Sequence, residues 1–320
     1  MRWANKKTRR RQRHPHIVWV LLLGLIVVAW RLYSNYGWWY ALWLGPGDPP
    51  RSCVLPRIES PPDKDYPPKI GILCLRDTGR PNLARYAQLE RFAEAALENK
   101  KRYASRHSYA LVVADANAGN RPAPWAKLPA LRRALPQFDW LLYIDGDALF
   151  ANPEPRLEAL VDDAYDVVIS EDWGGYNTGV FLVKNSSFVA KLLDDMWDAG
   201  TRYGLAKPNK WWRHEMPFEF EQRALHFLTR SETWQASADR YGLPTVPPDV
   251  AAPIRDRIKV LPQCALNSYL VRPRLLPQDA RHRAARYARG DFVVHLAGHK
   301  GANKAALLEY ALDHLVRREV

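Results

Sequence analysis

Asp145 and Asp147 flank Gly146 in the run Tyr143-Ile144-Asp145-Gly146-Asp147-Ala148-Leu149-Phe150. An apolar strand that runs straight into Asp-x-Asp ends in two carboxylates, and the strand period of two puts both on one side. Hard oxygen donors at that spacing suit Mg2+ or Mn2+, either of which can bridge to a diphosphate. Asp-Gly-Asp is also ordinary turn chemistry, so the pair gains meaning only in company. Three other segments supply it. Gly174-Gly175-Tyr176-Asn177-Thr178-Gly179 has glycines that let a ligand approach the backbone, and Asn177 offers both a donor and an acceptor. Glu221 and Gln222 lie in a segment, Glu219 to Leu225, that reads as the start of a helix, where such side chains also serve as caps. Asp291 to Lys300 reads as a strand that ends in His295, small residues, His299 and Lys300. A neutral imidazole there can complete a metal site, and a lysine ammonium can neutralise a phosphate.

Short apolar runs alternate with amphipathic stretches from Lys69 onward. Strands are expected at Lys69–Leu75, Tyr109–Asp115, Asp139–Asp145, Asp166–Ser170 and Val180–Lys184. Helices are expected at Asn82–Arg106, Ala126–Leu135 and Ser186 to about Tyr203, with an amphipathic one at Lys304–Arg318. This β-α-β-α-β order predicts an α/β domain with a mostly parallel sheet, in which ligands bind beyond the carboxyl ends of the strands. The Asp-Gly-Asp pair stands at such an end.

The 320 residues carry a formal charge of +13, which invites a nucleic-acid partner until its position is considered. Seven Lys/Arg and no acid fall in residues 1–16, leaving a surplus of only six over the rest. The uncharged apolar run Ile17 to Trp30 continues to Tyr33 once Arg31 snorkels. Seventeen helical residues span about 25 Å, near the lower limit for crossing a bilayer. Tyr36, Trp38, Trp39 and Tyr40 then form an aromatic belt in place of a small-residue cleavage site. The expected order is a cytosolic tail (1–16), a signal anchor (17–33), a stalk (34–68) with eight prolines after Gly45, and a lumenal domain (69–320). Positive-inside bias makes this a single-pass type II membrane protein, with no nucleic-acid footprint in the folded part. Three cysteines allow one internal bridge at most: Cys53 in the stalk could pair between chains, Cys74 reads as a buried thiol, and the odd one is unassigned. Asn185-Ser186-Ser187 is the only glycosylation sequon. Trp211 and Trp212 fit acceptor stacking and core packing equally.

Taken in order, several segments resemble glycosyltransferase family 34, a group of α-galactosyl-, α-mannosyl- and α-xylosyltransferases of the Golgi. They are Trp125-Ala126-Lys127 before Leu131-Arg132, the run Tyr143 to Phe150, Asn177 to Ser186, Glu221-Gln222-Arg223-Ala224-Leu225, Gln263 with Asn267-Ser268-Tyr269, and His295-Leu296-Ala297-Gly298. Together they span residues 69 to about 302. The family usually has Cys after His-x-x-Gly, where this chain has His299. The resemblance implies a GT-A fold (Rossmann-like, with helices flanking the sheet), a UDP- or GDP-sugar donor, Mn2+ (or Mg2+), and retention of anomeric configuration. Residue by residue, it implies metal ligands at Asp145, Asp147 and His295 and donor contacts at Lys127, Asn177, Gly179 and Lys300. It places Glu221 and Gln222 at the anomeric carbon.

Two function classes follow. One is a Golgi-membrane glycosyltransferase moving galactose, mannose or xylose to a glycan or polysaccharide acceptor. The other is an inactive GT-A-fold subunit that binds a glycan or scaffolds a partner enzyme. Oligomeric state, homo or hetero, is open in both. Intact Asp145, Asp147, His295 and Lys300 favour the enzyme.

Overall fold

Among the described residues the chain forms strands β1 (Ile70–Arg76), β2 (Ala110–Asp115), β3 (Trp140–Ile144), β4 (Ala148–Phe150), β5 (Val167–Asp172), β6 (Gly175–Lys184), β7 (Ile258–Leu261), β8 (Ser268–Tyr269) and β9 (Val293–His295). Its helices are α1 (Ala84–His107), α2 (Lys127–Ala134), α3 (Ser187–Arg202), α4 (Gln222–Thr229), α5 (Glu232–Tyr241), α6 (Pro248–Arg255), α7 (Gln263–Leu266) and α8 (Gly301–Ala311). The computed structural model describes residues 67–76, 84–172, 174–206, 220–270, 286–298 and 301–316, together with Leu25, which is helical and exposed. The basic tail, the rest of the anchor, the stalk up to residue 66 with Cys53, and Trp211, Trp212, His299 and Lys300 lie outside the described residues. Among the described residues no helix is long and apolar enough to cross a membrane.

Six strands form the main sheet in the order β2-β1-β3-β6-β5-β7. β1 pairs in parallel with β2 and β3, and β5 with β7, while β6 runs antiparallel to both its neighbours. The sheet is therefore mixed, with a single reversed strand in an otherwise parallel set. β3 is buried along its whole length, and its side chains divide between two cores. Leu141 and Tyr143 meet α2 through Leu128 and Leu131 on one face, whereas Trp140, Leu142 and Ile144 meet Tyr103 of α1 on the other. A strand covered on both faces needs an unbroken apolar run rather than alternation. A second sheet, β4-β9-β8, shares a third core with α1 and α8, where Ala96, Leu149, Val294 and Leu308 pack together. It has no counterpart in the sequence reading.

Several boundaries differ from those expected. β6 begins at Gly175 rather than Val180, because the glycine-rich run pairs with the end of β5 (Ser170 with Asn177, Asp172 with Gly175). The carboxylates of Asp145 and Asp147 are not presented by strand alternation. β3 ends at Ile144, and a turn closed by Ala148 N–H donating to Asp145 O (3.1 Å) sends the chain into β4. The C-terminal helix starts earlier than Lys304, at Gly301, and widens into a π-turn over Leu312–Val316. Ser186 caps α3, its Oγ accepting from Val189 N at 3.2 Å, and leaves Asn185 of the sequon exposed. Cys74 is a free, buried thiol whose titration burial pushes up, whereas Cys264 is disulfide-bonded.

Candidate functional site

Pairing between the two sheets brings the acids and the histidine together. β4 and β9 run antiparallel with Ala148 opposite His295, and Leu296 N–H donates to Asp147 O at 3.1 Å. His295 Nε2 consequently lies 3.5 Å from Asp147 Oδ1 and 3.7 Å from Asp145 Oδ2. One ligand atom from each of the three side chains falls within 4.8 Å of the others. The aspartates are half-buried and His295 is buried.

A hydrogen-bond chain fixes which imidazole nitrogen is offered. His295 Nδ1 donates to Asn267 Oδ1 at 2.7 Å, which leaves the Nε2 lone pair for a cation. Asn267 Nδ2 donates to Tyr269 Oη (3.0 Å), and Tyr269 donates to Asp172 Oδ2 over a short contact. Asn177 Nδ2 donates to Asp172 (2.8 Å) and Tyr269 (2.9 Å), and its Oδ1 accepts from Gly179 N. Gly179 has a steric task here, since a Cβ at that position would lie 2.1 Å from His295 Cε1. The open side of this glycine, a donor contact in the family resemblance, is filled by the metal-candidate histidine.

The same stretch of β6 departs from regular pairing. Between Phe181 opposite Ile169 and Asn177 opposite Ser170, residues 178–180 bulge out of the ladder with β5. Pairing with β3 continues through this stretch, with Asp145 N–H donating to Gly179 O (2.8 Å). Bulges re-aim groups beside functional sites, and Thr178 O here meets the Lys127 ammonium (3.1 Å). Lys127, at the start of α2, is buried, with Nζ 2.8 Å from Glu221 Oε1 and 3.3 Å from Asp145. Burial alone would lower its pKa, but the two carboxylates outweigh it and raise it above the ordinary lysine value. Glu221 is raised by burial despite the lysine. Its Oε1 also accepts from Thr178 Oγ1 at 2.7 Å, and its Oε2 has no hydrogen-bond partner. Gln222 is half-buried and accepts through Oε1 from Thr178 N (3.0 Å), so its amide nitrogen remains to be used. Asp147 is held well below the usual carboxylate range, the effect of burial being overcome by His295 and by Lys304, whose Nζ lies 2.5 Å from Oδ2.

The galactosyl transferase GMA12/MNN10 family model matches residues 68–164 and 159–306. The chain belongs to this family. Among relatives, it is 30% identical over 240 residues to the probable alpha-1,6-mannosyltransferase MNN10 of Saccharomyces cerevisiae, covering 63% of this chain and 54% of that one. It is 26% identical over 174 residues to an alpha-1,2-galactosyltransferase of Schizosaccharomyces pombe (41% and 46%). It is 34% identical over 112 residues to xyloglucan 6-xylosyltransferase 4 of Arabidopsis thaliana (31% and 22%). The chain spans about half the length of the first two curated relatives it matches. A glycosyltransferase involved in glycosylating the major capsid of PBCV-1 superposes with a TM-score of 0.47 at 18% identity, covering 76% of this chain and 99% of that one.

Within this GMA12/MNN10 family chain, eight of the nine residues singled out from sequence lie in one connected cluster: Asp145, Asp147, His295, Lys127, Asn177, Gly179, Glu221 and Gln222. Lys300 lies outside the described residues. Sequence reasoning gave no role to Thr178, Asp172, Tyr143 or Lys304. Tyr143 Oη donates to Asp145 Oδ1 at 2.9 Å, two residues along the same run, and that spacing was the one available signal.

Two expectations follow. Gly179→Ala should push His295 off its position and weaken Mn2+ binding by at least about tenfold; Mn2+ titration followed by electron paramagnetic resonance checks it. His226 of α4 holds the start of β6, with Nε2 donating to Tyr176 O (3.0 Å) and Nδ1 accepting from Ser231 Oγ (2.6 Å). Burial pushes this imidazole down to about 4. Its folded pKa is below the unfolded value, so stability is lost as pH falls from about 6.5 toward 4. Between pH 7 and 5 the loss is about 2 kcal/mol. Urea unfolding at both pH values should show this loss, and His226→Gln should remove it.

Proposed function

We propose that the chain is a retaining glycosyltransferase that transfers galactose, mannose or xylose from a nucleotide sugar to a glycan or polysaccharide acceptor. We further propose a GT-A arrangement, dependence on Mn2+ (or Mg2+), and a type II position in the Golgi membrane with the enzyme in the lumen. The observation that carries the reading is the convergence of Asp145, Asp147 and His295, with His295 Nε2 left as a ligand. Two carboxylates and an imidazole fit a divalent ion, and the nitrogen tilts the set toward Mn2+. An ion bound there supplies charge neutralisation for a departing nucleoside diphosphate. Lys304 adds a cation at Asp147, and Lys300 is proposed to meet the diphosphate. The family's mannosyl-, galactosyl- and xylosyltransferases support a hexose or pentose donor.

The two residues proposed for the anomeric carbon divide their work. Glu221 is enclosed and ion-paired to Lys127, which suits it to holding Lys127 and Thr178 in place. Gln222 has its carbonyl oxygen tied to Thr178 and its amide group unspent, which suits it to steadying the oxocarbenium-like centre during front-face attack. The residual charge of the folded part then meets a diphosphate, and the basic tail meets anionic lipid headgroups.

Donor hydrolysis and transfer should be measured with a panel of UDP- and GDP-sugars and Mn2+. Asp147→Ala should abolish both reactions, and Gln222→Ala should lower kcat about 100-fold or more with donor KM little changed. Full activity in both variants contradicts this reading. Nucleotide-sugar binding with no turnover by the unaltered chain points instead to the inactive, glycan-binding subunit.

A further inference from the structure

Lys100, in the last third of α1, is 1% exposed, and no carboxylate lies within ion-pairing distance of it among the described residues. Placing an ammonium in a protein interior without a counter-charge costs several kcal/mol, and burial pushes this one down to about 8. Each of its three N–H donors has a backbone carbonyl to meet: Ala148 O at 2.7 Å, Gly146 O at 3.3 Å and Ala96 O at 3.3 Å. Two of the three belong to the turn that carries Asp145 and Asp147. The preceding residue continues the grip. Asn99 Nδ2 donates to Phe150 O (3.0 Å) and its Oδ1 accepts from Phe150 N (2.9 Å), as a paired strand would. Alternate carbonyls at 146, 148 and 150 are thus all tied to one turn of α1, on a different side from the β9 contact made through Leu296 N–H.

We infer that Lys100 and Asn99 are positioning residues for the metal site, clamping the Asp-Gly-Asp turn so that both carboxylates are held at ligand spacing before a cation arrives. The assignment rests on the divalent-ion reading above. It makes a prediction whose sign separates it from simple electrostatics. Removing a positive charge near two carboxylates would by itself tighten cation binding. Losing the clamp loosens the turn and weakens it.

The test is Mn2+ binding to the whole chain in detergent, read by electron paramagnetic resonance of free Mn2+, with far-ultraviolet circular dichroism as the check on folding. Lys100→Met keeps the length and apolar stem of the side chain. It should raise the Mn2+ Kd about tenfold, and Asn99→Ala should raise it by a smaller factor. An unchanged or lowered Kd in a folded Lys100→Met variant overturns the assignment while leaving the metal site standing. If Lys100→Met does not fold, Asn99→Ala decides in the same way: a raised Kd supports the clamp and an unchanged one overturns it. No Mn2+ binding by the unaltered chain overturns the metal reading, and this assignment with it.

Discussion

The buried ammonium of Lys127 is the interaction on which the rest of the site depends. It touches Asp145 at the end of β3, Thr178 O in the β6 bulge, and Glu221 at the mouth of α4, and so joins three segments at one point. Two carboxylates this close cannot both stay ionised without a cation between them, and Lys127 is that cation for Asp145 and Glu221. Glu221, Thr178 and Gln222 are then fixed by hydrogen bonds that begin at this ion pair. Tyr143 closes the group from below, its ring 5.1 Å from the ammonium and its hydroxyl on Asp145.

Around that cluster the two sheets impose a second constraint. The single reversed strand, β6, reaches Asp145 by carrying its pairing with β3 on to Gly179, while its pairing with β5 shifts register over residues 178–180, and the small sheet presents His295 because β4 leaves the Asp-Gly-Asp turn at once. Gly179 reconciles the two, since any larger residue would collide with the imidazole. The proposed chemistry needs this arrangement. A diphosphate leaving group calls for positive charge in place before the bond breaks, and a rigid, hydrogen-bonded ligand set would hold a divalent cation there without reorganisation.

Much of this was legible in the sequence, for identifiable reasons. Asp145, Asp147 and His295 stand out only together, since the acid pair alone is ordinary turn chemistry, and the strands themselves announce their burial through unbroken apolar runs. Roles that arise from register were not legible. Asp172 lies beside Asn177 only through β5–β6 pairing, and Tyr269 joins them across 92 residues from Asn177. Gly179 was noticed for its lack of a side chain, but what would occupy that space depends on a segment more than 100 residues away. The Asp-Gly-Asp spacing led to the right convergence through the wrong geometry, because a turn rather than strand alternation brings the two acids together. The small sheet was not legible because β4 and β8, which flank the expected strand at His295, are too short to show a period.

Asp145, Asp147 and His295 are proposed to hold a divalent ion and, through it, a nucleotide. Calorimetric titration of the whole chain with UDP and with GDP, in Mn2+ and again in excess chelator, tests that most directly. One of the two nucleotides should bind in Mn2+ and lose its heat of binding in chelator and in the His295→Ala variant. Equal binding with and without Mn2+, or binding that survives in His295→Ala, would contradict it.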